Sequence, residues 1–154
     1  MTVHSRLAKP LVEALRKALT GHALPGETKG FNRDGEREAA EFLAGVAVRR
    51  RKGEVALAIE STGGEAGRRR MRIGIVNDDM PFLVDSIANA IAGHQLTIHR
   101  LLHPVMCVTR DDNGLLNEVE LLCGDTSRRE SMMYIELDRA DARGRQELVK
   151  ELRA

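Results

Sequence analysis

From residue 70 onward this sequence predicts an α+β sandwich: an antiparallel sheet with helices on one face. Three observations predict it. Arg70–Val76 alternates with period two, Met71, Ile73 and Ile75 on one side and Arg72, Gly74 and Val76 on the other, and then breaks into an acidic turn before a helical stripe. Asp111-Asp112-Asn113-Gly114 separates two β-rich arms, and Asn-Gly is the strongest short-range hairpin signal. Ser131–Asp138 alternates again, with Met133, Ile135 and Leu137 facing inward, before a segment with Leu148 and Leu152 at i, i+4. Strand, helix, strand, strand, helix is five of the six elements of a ferredoxin-like βαββαβ sandwich. The last strand is absent. Val55–Glu60, in which Val55, Leu57 and Ile59 alternate with Ala or Glu, is expected to take its place by a hairpin into Arg70–Val76.

The elements follow in order. Leu7, Leu11, Leu15 and Leu19 recur every fourth residue and predict a helix over 3–20, with Pro10 in a first turn or at a kink. Gly21, Pro25, Gly26 and Gly30 mark 21–33 as a linker. A second helix is predicted over 34–51, its apolar face made by Ala39, Ala40, Phe42, Leu43, Val46 and Ala47, with Gly53 as its stop. Ser61–Gly67 reads as a turn. A helix over 81–93 is expected to bury Phe82, Leu83, Ile87, Ala90 and Ile91, with Asp79 as N-cap, Pro81 in the first turn and Gly93 at the end. Residues 95–109 read as one long strand, Leu115–Leu122 as its returning arm, Gly124–Arg129 as a charged loop and 141–153 as the final helix. The chain thus divides into a helical N-terminal appendage, 1–53, and a sandwich domain, 54–154, truncated before its last strand.

Composition removes several function classes. A net charge of +1 gives no strong pull toward nucleic acid or anionic membrane. No apolar run reaches about 18 residues, so no membrane span is expected, and the N-terminus lacks the apolar stretch of a secretory signal. Cys107 and Cys123 lie in apolar surroundings without metal-ligand spacing and read as reduced, buried thiols of a cytoplasmic protein.

Three separated blocks resemble one family. Val76-Asn77-Asp78-Asp79-Met80-Pro81-Phe82-Leu83-Val84-Asp85-Ser86, then Leu96-Thr97-Ile98-His99 with Leu102-His103-Pro104-Val105, then Glu130-Ser131 with Ile135-Glu136-Leu137-Asp138-Arg139, are similar to the N-terminal region of the large bacterial NAD-dependent glutamate dehydrogenases. The resemblance runs from about residue 40 to the end. It implies the first of several ACT-like regulatory domains, with the catalytic dehydrogenase far downstream and outside this chain. It also implies an amino-acid-catabolic parent oligomer that uses NAD, and a fragment with no cofactor and no catalytic residue of its own. The family usually carries tryptophan where Met132 stands. ACT domains follow their first strand with Asp-x-Pro-Gly-Leu, and the equivalent here is Asp79-Met80-Pro81-Phe82-Leu83. Phe82 in place of that glycine implies packing against another domain rather than close approach by a free amino acid.

Each candidate chemistry is weighed against a plainer role. Asp78 and Asp79 could form an acid–base pair, but adjacent turn residues diverge and no nucleophile stands nearby; Asp79 reads as the cap and Asp78 as solvated. His99 and His103 share a strand face but lie about 13 Å apart, too far for one metal ion, and His94 is in the preceding turn. Arg49-Arg50-Arg51-Lys52 suits a helix C-terminus. That run and Arg68-Arg69-Arg70 raise RNA binding, which this fold supports elsewhere, yet only Tyr134 offers a sheet aromatic. The glycines at 63, 64 and 67 make no dinucleotide fingerprint. The expectation is a non-catalytic regulatory and assembly domain. Its effector or interface residues are Asn77, Asp78, Asp79, Met80, Pro81, Phe82, His99 and His103. Its partners are other domains of the same chain and neighbouring subunits, with no nucleic acid, membrane or metal. An amino-acid-sensing ACT domain is the alternative.

Overall fold

The computed structural model describes residues 12–18, 33–51, 53–62, 70–80, 82–120 and 128–153. Among these, helix α1 covers residues 12–18, followed by α2 (Arg33–Ala47), β1 (Ala56–Thr62), β2 (Arg70–Asp78), α3 (Leu83–Gly93), β3 (Ile98–Leu102), β4 (Val105–Arg110), β5 (Leu116–Glu120), β6 (Arg128–Asp138) and α4 (Ala142–Arg153). The six strands form one sheet in the order β1-β2-β6-β4-β5, with β3 also pairing β6. Every pairing is antiparallel, so the α+β sandwich expected from the alternation is the fold observed.

The substitute strand is present. β1 pairs β2 from Ala56↔Val76 to Thr62↔Arg70, on the edge that the sixth element of the sandwich would occupy. The Asn-Gly hairpin also forms. Asp111 Oδ1 accepts the N–H groups of Asn113 and Leu115, both at 2.9 Å, and Gly114 adopts φ 85°. A Cβ at Gly114 would stand 2.5 Å from the carbonyl oxygen of Arg50, so this turn also needs glycine for the approach of a second chain segment.

Both faces of the sheet are covered. Met71, Ile73, Ile75, Met133, Ile135 and Leu137 pack against Ile87 and Ile91 of α3 and Leu148 of α4, as their period predicts. On the opposite face Val76, Met132, Tyr134 and Val108 pack against Ala39, Ala40, Leu43, Ala44 and Ala47 of α2 and Leu15 of α1. The N-terminal helices therefore complete a three-layer arrangement. Gly74 lets α2 come close, since a Cβ there would stand 2.9 Å from Val46 Cγ2 and 3.0 Å from the Phe42 ring. Tyr134 lies beneath this layer with its ring edge-on to Phe42, and burial pushes its phenol pKa well up, with Glu136 adding to the rise. The sheet face on which an RNA-binding module stacks bases is thus occupied by α2.

Several expectations are corrected. The long strand over 95–109 is two strands, β3 and β4, separated at His103-Pro104, where proline offers no N–H to a ladder. The Pro104 carbonyl instead accepts the Met132 N–H at 2.9 Å. Helix α2 ends at Ala47, not at 51; Arg49 leaves it to bridge Leu115, and Gly53 (φ 80°) serves a later turn closed by Glu54 N–H on the Arg51 carbonyl. Helix α3 begins at Leu83 with Phe82, not Asp79, at its N-cap and no side-chain cap bond. Phe82 is 79% exposed rather than part of the buried stripe, because its φ of 64° turns the chain before the helix starts. β6 starts at Arg128, so Arg128 and Arg129 are strand and not loop.

Cys107 is disulfide-bonded, not a free thiol. The hairpin sets Glu120 opposite Cys107, and the other cysteine, Cys123, is close to Glu120 in sequence. The argument for a reducing compartment from thiols falls with it. No helix among the described residues is long and apolar enough to cross a membrane. Pro10, most of the 21–33 linker, the turn after Thr62, Pro81 and residues 121–127 lie outside the described residues.

Candidate interface at the end of strand β2

Asp78 and Glu130 are Cα partners at the end of the β2–β6 ladder, and like charges placed opposite each other repel. The chain answers with two arginines. Arg50 Nη1 donates to Glu130 Oε2 at 2.7 Å and to Asp78 Oδ1 at 3.0 Å. Arg110 donates through Nη2 to Glu130 Oε1 at 2.8 Å and through Nε to both carboxylate oxygens at 3.2 and 3.1 Å. The side chains of Arg50, Arg110 and Glu130 are all fully buried, while that of Asp78 is about half exposed. Two guanidiniums and two carboxylates leave the cluster neutral, which is the condition for burying charge at all.

The other guanidinium nitrogens are also engaged. Arg50 Nε donates to the Glu54 carbonyl at 2.6 Å and Nη2 to Asn77 Oδ1 at 3.3 Å; Arg110 Nη1 donates to the Gly114 carbonyl at 2.9 Å. Asn77 Oδ1 also accepts the Asp78 N–H at 2.9 Å. Among the described residues no buried side-chain nitrogen or oxygen lacks a partner. The network ties the segment after α2, the Asp111–Gly114 hairpin and the end of β2 into one unit.

Beyond that unit the chain turns outward. Asp79 donates its N–H to the Arg129 carbonyl at 3.2 Å, and its carboxylate stands 3.6 Å from Arg129 Nη2. Met80 and Phe82 are the large exposed apolar residues of the described chain, at 48% and 79%. Phe82 keeps the left-handed backbone that suits glycine, which is unusual for a bulky residue and costs about 1–2 kcal/mol. This is the position at which the sequence pattern sets Phe82 where a glycine is expected, and the backbone found there is one that favours glycine.

The predicted site residues separate into three places. Asn77, Asp78, Asp79, Met80 and Phe82 lie together at the β2–α3 turn, and Pro81 lies outside the described residues. His99 is at the other end of β6, where its Nε2 stands 2.7 Å from Asp138 Oδ1. The Thr97 N–H donates to Asp138 Oδ2 at 3.2 Å, and the two contacts hold the Asp138 carboxyl below its ordinary pKa, the His99 bond contributing most. His103 is exposed at the break between β3 and β4. His94 pairs with Glu151 at 2.6 Å. Among the described residues no group of three or more His, Cys, Asp or Glu is placed to hold a metal.

Arg50, Arg110 and Glu130 were not among the predicted site residues. The signal for Arg110 and Glu130 is periodic. Glu130 has the parity of Met132 and Tyr134, and Arg110 that of Met106 and Val108, so each is a charge on an apolar face that demands a counter-charge.

Comparison with known proteins agrees with this architecture. A family model described as "Glutamate dehydrogenase, ACT1 domain" matches residues 38–152. The chain is 36% identical over 69 residues to the NAD-specific glutamate dehydrogenase of Halomonas elongata, and 35% identical over 69 residues to that of Pseudomonas aeruginosa. Each alignment covers 44% of this chain but 4% of the relative, so the chain corresponds to a small part of those proteins. With the match running from within α2 to the last turn of α4, the chain belongs to the ACT1 domain family of glutamate dehydrogenases.

Proposed function

We propose that this domain is a non-catalytic docking and regulatory module of a large NAD-dependent glutamate dehydrogenase. The parent would convert glutamate and NAD to 2-oxoglutarate, ammonium and NADH elsewhere in its length. The module's partners are other domains of the same chain and neighbouring subunits. The observation that carries the reading is Phe82: a bulky apolar side chain, 79% exposed, on a backbone that favours glycine, beside the half-exposed Met80. An exposed apolar pair on a strained turn is explained by a partner surface that covers it. The buried Arg50–Glu130–Arg110 cluster supports the same reading, since it anchors the strand from which the turn projects. Regulation then follows from different contacts of this turn in the active and inactive assemblies.

The test is Phe82→Ala in the full-length dehydrogenase. Loss of apolar contact at a domain interface is expected to lower the melting temperature of the assembly, or to change its basal rate, while leaving the 154-residue chain as stable as before. A full-length variant with unchanged melting, oligomeric state and rate would remove the docking role.

The alternative is an amino-acid sensor, favoured by the position of the turn at the end of the first sandwich strand. A thermal-shift scan against the twenty amino acids, with NAD as a control, separates the two. A ligand at a hundredfold excess over its Kd adds about 2.7 kcal/mol of stability. A shift with one or two amino acids would establish the sensor; none would leave docking.

A further inference from the structure

A second feature lies on the other side of Arg50. Residues Arg49, Arg50 and Arg51, with Glu54, Val55 and Ala56, line an open cleft of about 340 Å³. This is at the low end of small-molecule sites, about 300–1,000 Å³. The three arginines do not play the same part. Arg50 is buried and its charge is met by Glu130 and Asp78. Arg49 and Arg51 are exposed, and neither has an ion-pair partner among the described residues. Glu54 is the one carboxylate among the described lining residues. Among the described residues two guanidiniums without an ion pair face one carboxylate, which leaves the cleft positive, although the whole chain is close to neutral.

The backbone that carries these arginines is held in place. The Arg50 N–H donates to the Gly114 carbonyl and the Leu116 N–H to the Val48 carbonyl, each at 2.9 Å, on either side of the Arg49↔Leu115 bridge. Glu54 N–H closes the following turn on the Arg51 carbonyl at 3.0 Å. A segment pinned at both ends presents its side chains from fixed Cα positions and loses less entropy when they close on a ligand. Half-buried Val55 and Ala56 offer apolar surface for a short carbon skeleton. A planar guanidinium pairs carboxylate and phosphate oxygens two at a time.

We propose that this cleft binds a compact acidic metabolite, its carboxylate or phosphate groups held by Arg49 and Arg51. Since Arg50 both lines the cleft and holds Asn77 and Asp78, occupancy reaches the turn that carries Phe82. The binding site itself does not depend on the docking reading; it adds the chemical class of an effector to it.

The test is an amide NMR titration of the 154-residue chain with inorganic phosphate, and separately with succinate, at ionic strength held constant with chloride. Saturable shifts are expected at residues 49–56, followed by Asn77 and Asp78. Arg49→Ser and Arg51→Ser together should weaken binding at least tenfold while the spectrum stays dispersed, and Arg49→Lys with Arg51→Lys should recover part of it. Response to phosphate alone assigns a phosphate-bearing ligand, response to succinate alone a dicarboxylate, and response to both a site selective for charge. No saturable shift with either probe, or equal affinity in the serine variant, overturns the proposal. Phe82→Ala should leave the titration unchanged, so failure of docking and failure of binding are read separately.

Discussion

Phe82 and Glu130 are both residues in costly states, and their costs differ in kind. Phe82 has a backbone at φ 64° and little burial to lose, so Phe82→Gly removes strain at small loss of contact. Against this stands the extra freedom of glycine in the unfolded chain, about 0.5–1 kcal/mol. The expected result is a chain equally stable or up to about 1 kcal/mol more stable in urea denaturation. A loss of more than about 1 kcal/mol would mean that the ring makes contacts worth more than the strain. Glu130 is the opposite case, a buried charge fully paired on both oxygens. Glu130→Gln leaves two buried guanidiniums short of their anion and should cost about 3–5 kcal/mol. A cost under about 1 kcal/mol would show that water reaches the cluster. Periodicity places Glu130 on the apolar face from sequence alone, but its partners come from residues 50 and 110, which no local pattern connects to it.

At the scale of elements, Asp138 fastens the start of β3 to the end of β6. Its carboxylate takes the Thr97 N–H and faces His99, while its own N–H donates to the Thr97 carbonyl at 3.0 Å. The folded pKa is lowered from the usual value, chiefly by the His99 bond. A lowered carboxylate contributes stability that is present above the unfolded pKa of about 3.9 and is lost as pH falls through the folded value. The group is about half exposed, so solvent screens the effect and the contribution is small. Asp138→Asn should therefore be slightly less stable than the native chain at pH 6, with a difference that closes below about pH 4. A difference independent of pH would assign the loss to packing instead. The elements themselves were largely legible. The hairpin at Asn113-Gly114, the strand at Ala56–Thr62 and the apolar face of α2 all follow from local pattern. The break at Pro104 was available too, since a proline inside a β run argues against one continuous strand. The ends of α2 and α3 were not, because Arg49 leaves its helix to pair with Leu115 and Phe82 turns against its own backbone preference.

For the whole molecule, the question is whether the N-terminal helices are an attachment or a layer. Leu43 is fully buried in the core that α2 forms with Val76, Met132 and Tyr134, and Leu148 is fully buried on the other face. Truncating either to alanine removes a large buried side chain and should cost about 2–5 kcal/mol. The expected outcome is a comparable loss for Leu43→Ala and Leu148→Ala, each in a single cooperative transition. A loss below about 1 kcal/mol for Leu43→Ala alone would make α2 a detachable appendage. From its sequence alone this protein was determined as an alternating sheet with helices, a hairpin, a substitute edge strand and a member of its family's architecture. These depend on periodicity, turn chemistry and local residue identity, which are written within a few positions of one another. Tertiary structure alone decided that α2 covers the second face, that Phe82 stands in the open and that Arg50 lies inside between Asp78 and Glu130. Burial and charge pairing join residues tens of positions apart. An apolar stripe or a lone charge declares that it needs a partner, and only the folded chain supplies which one.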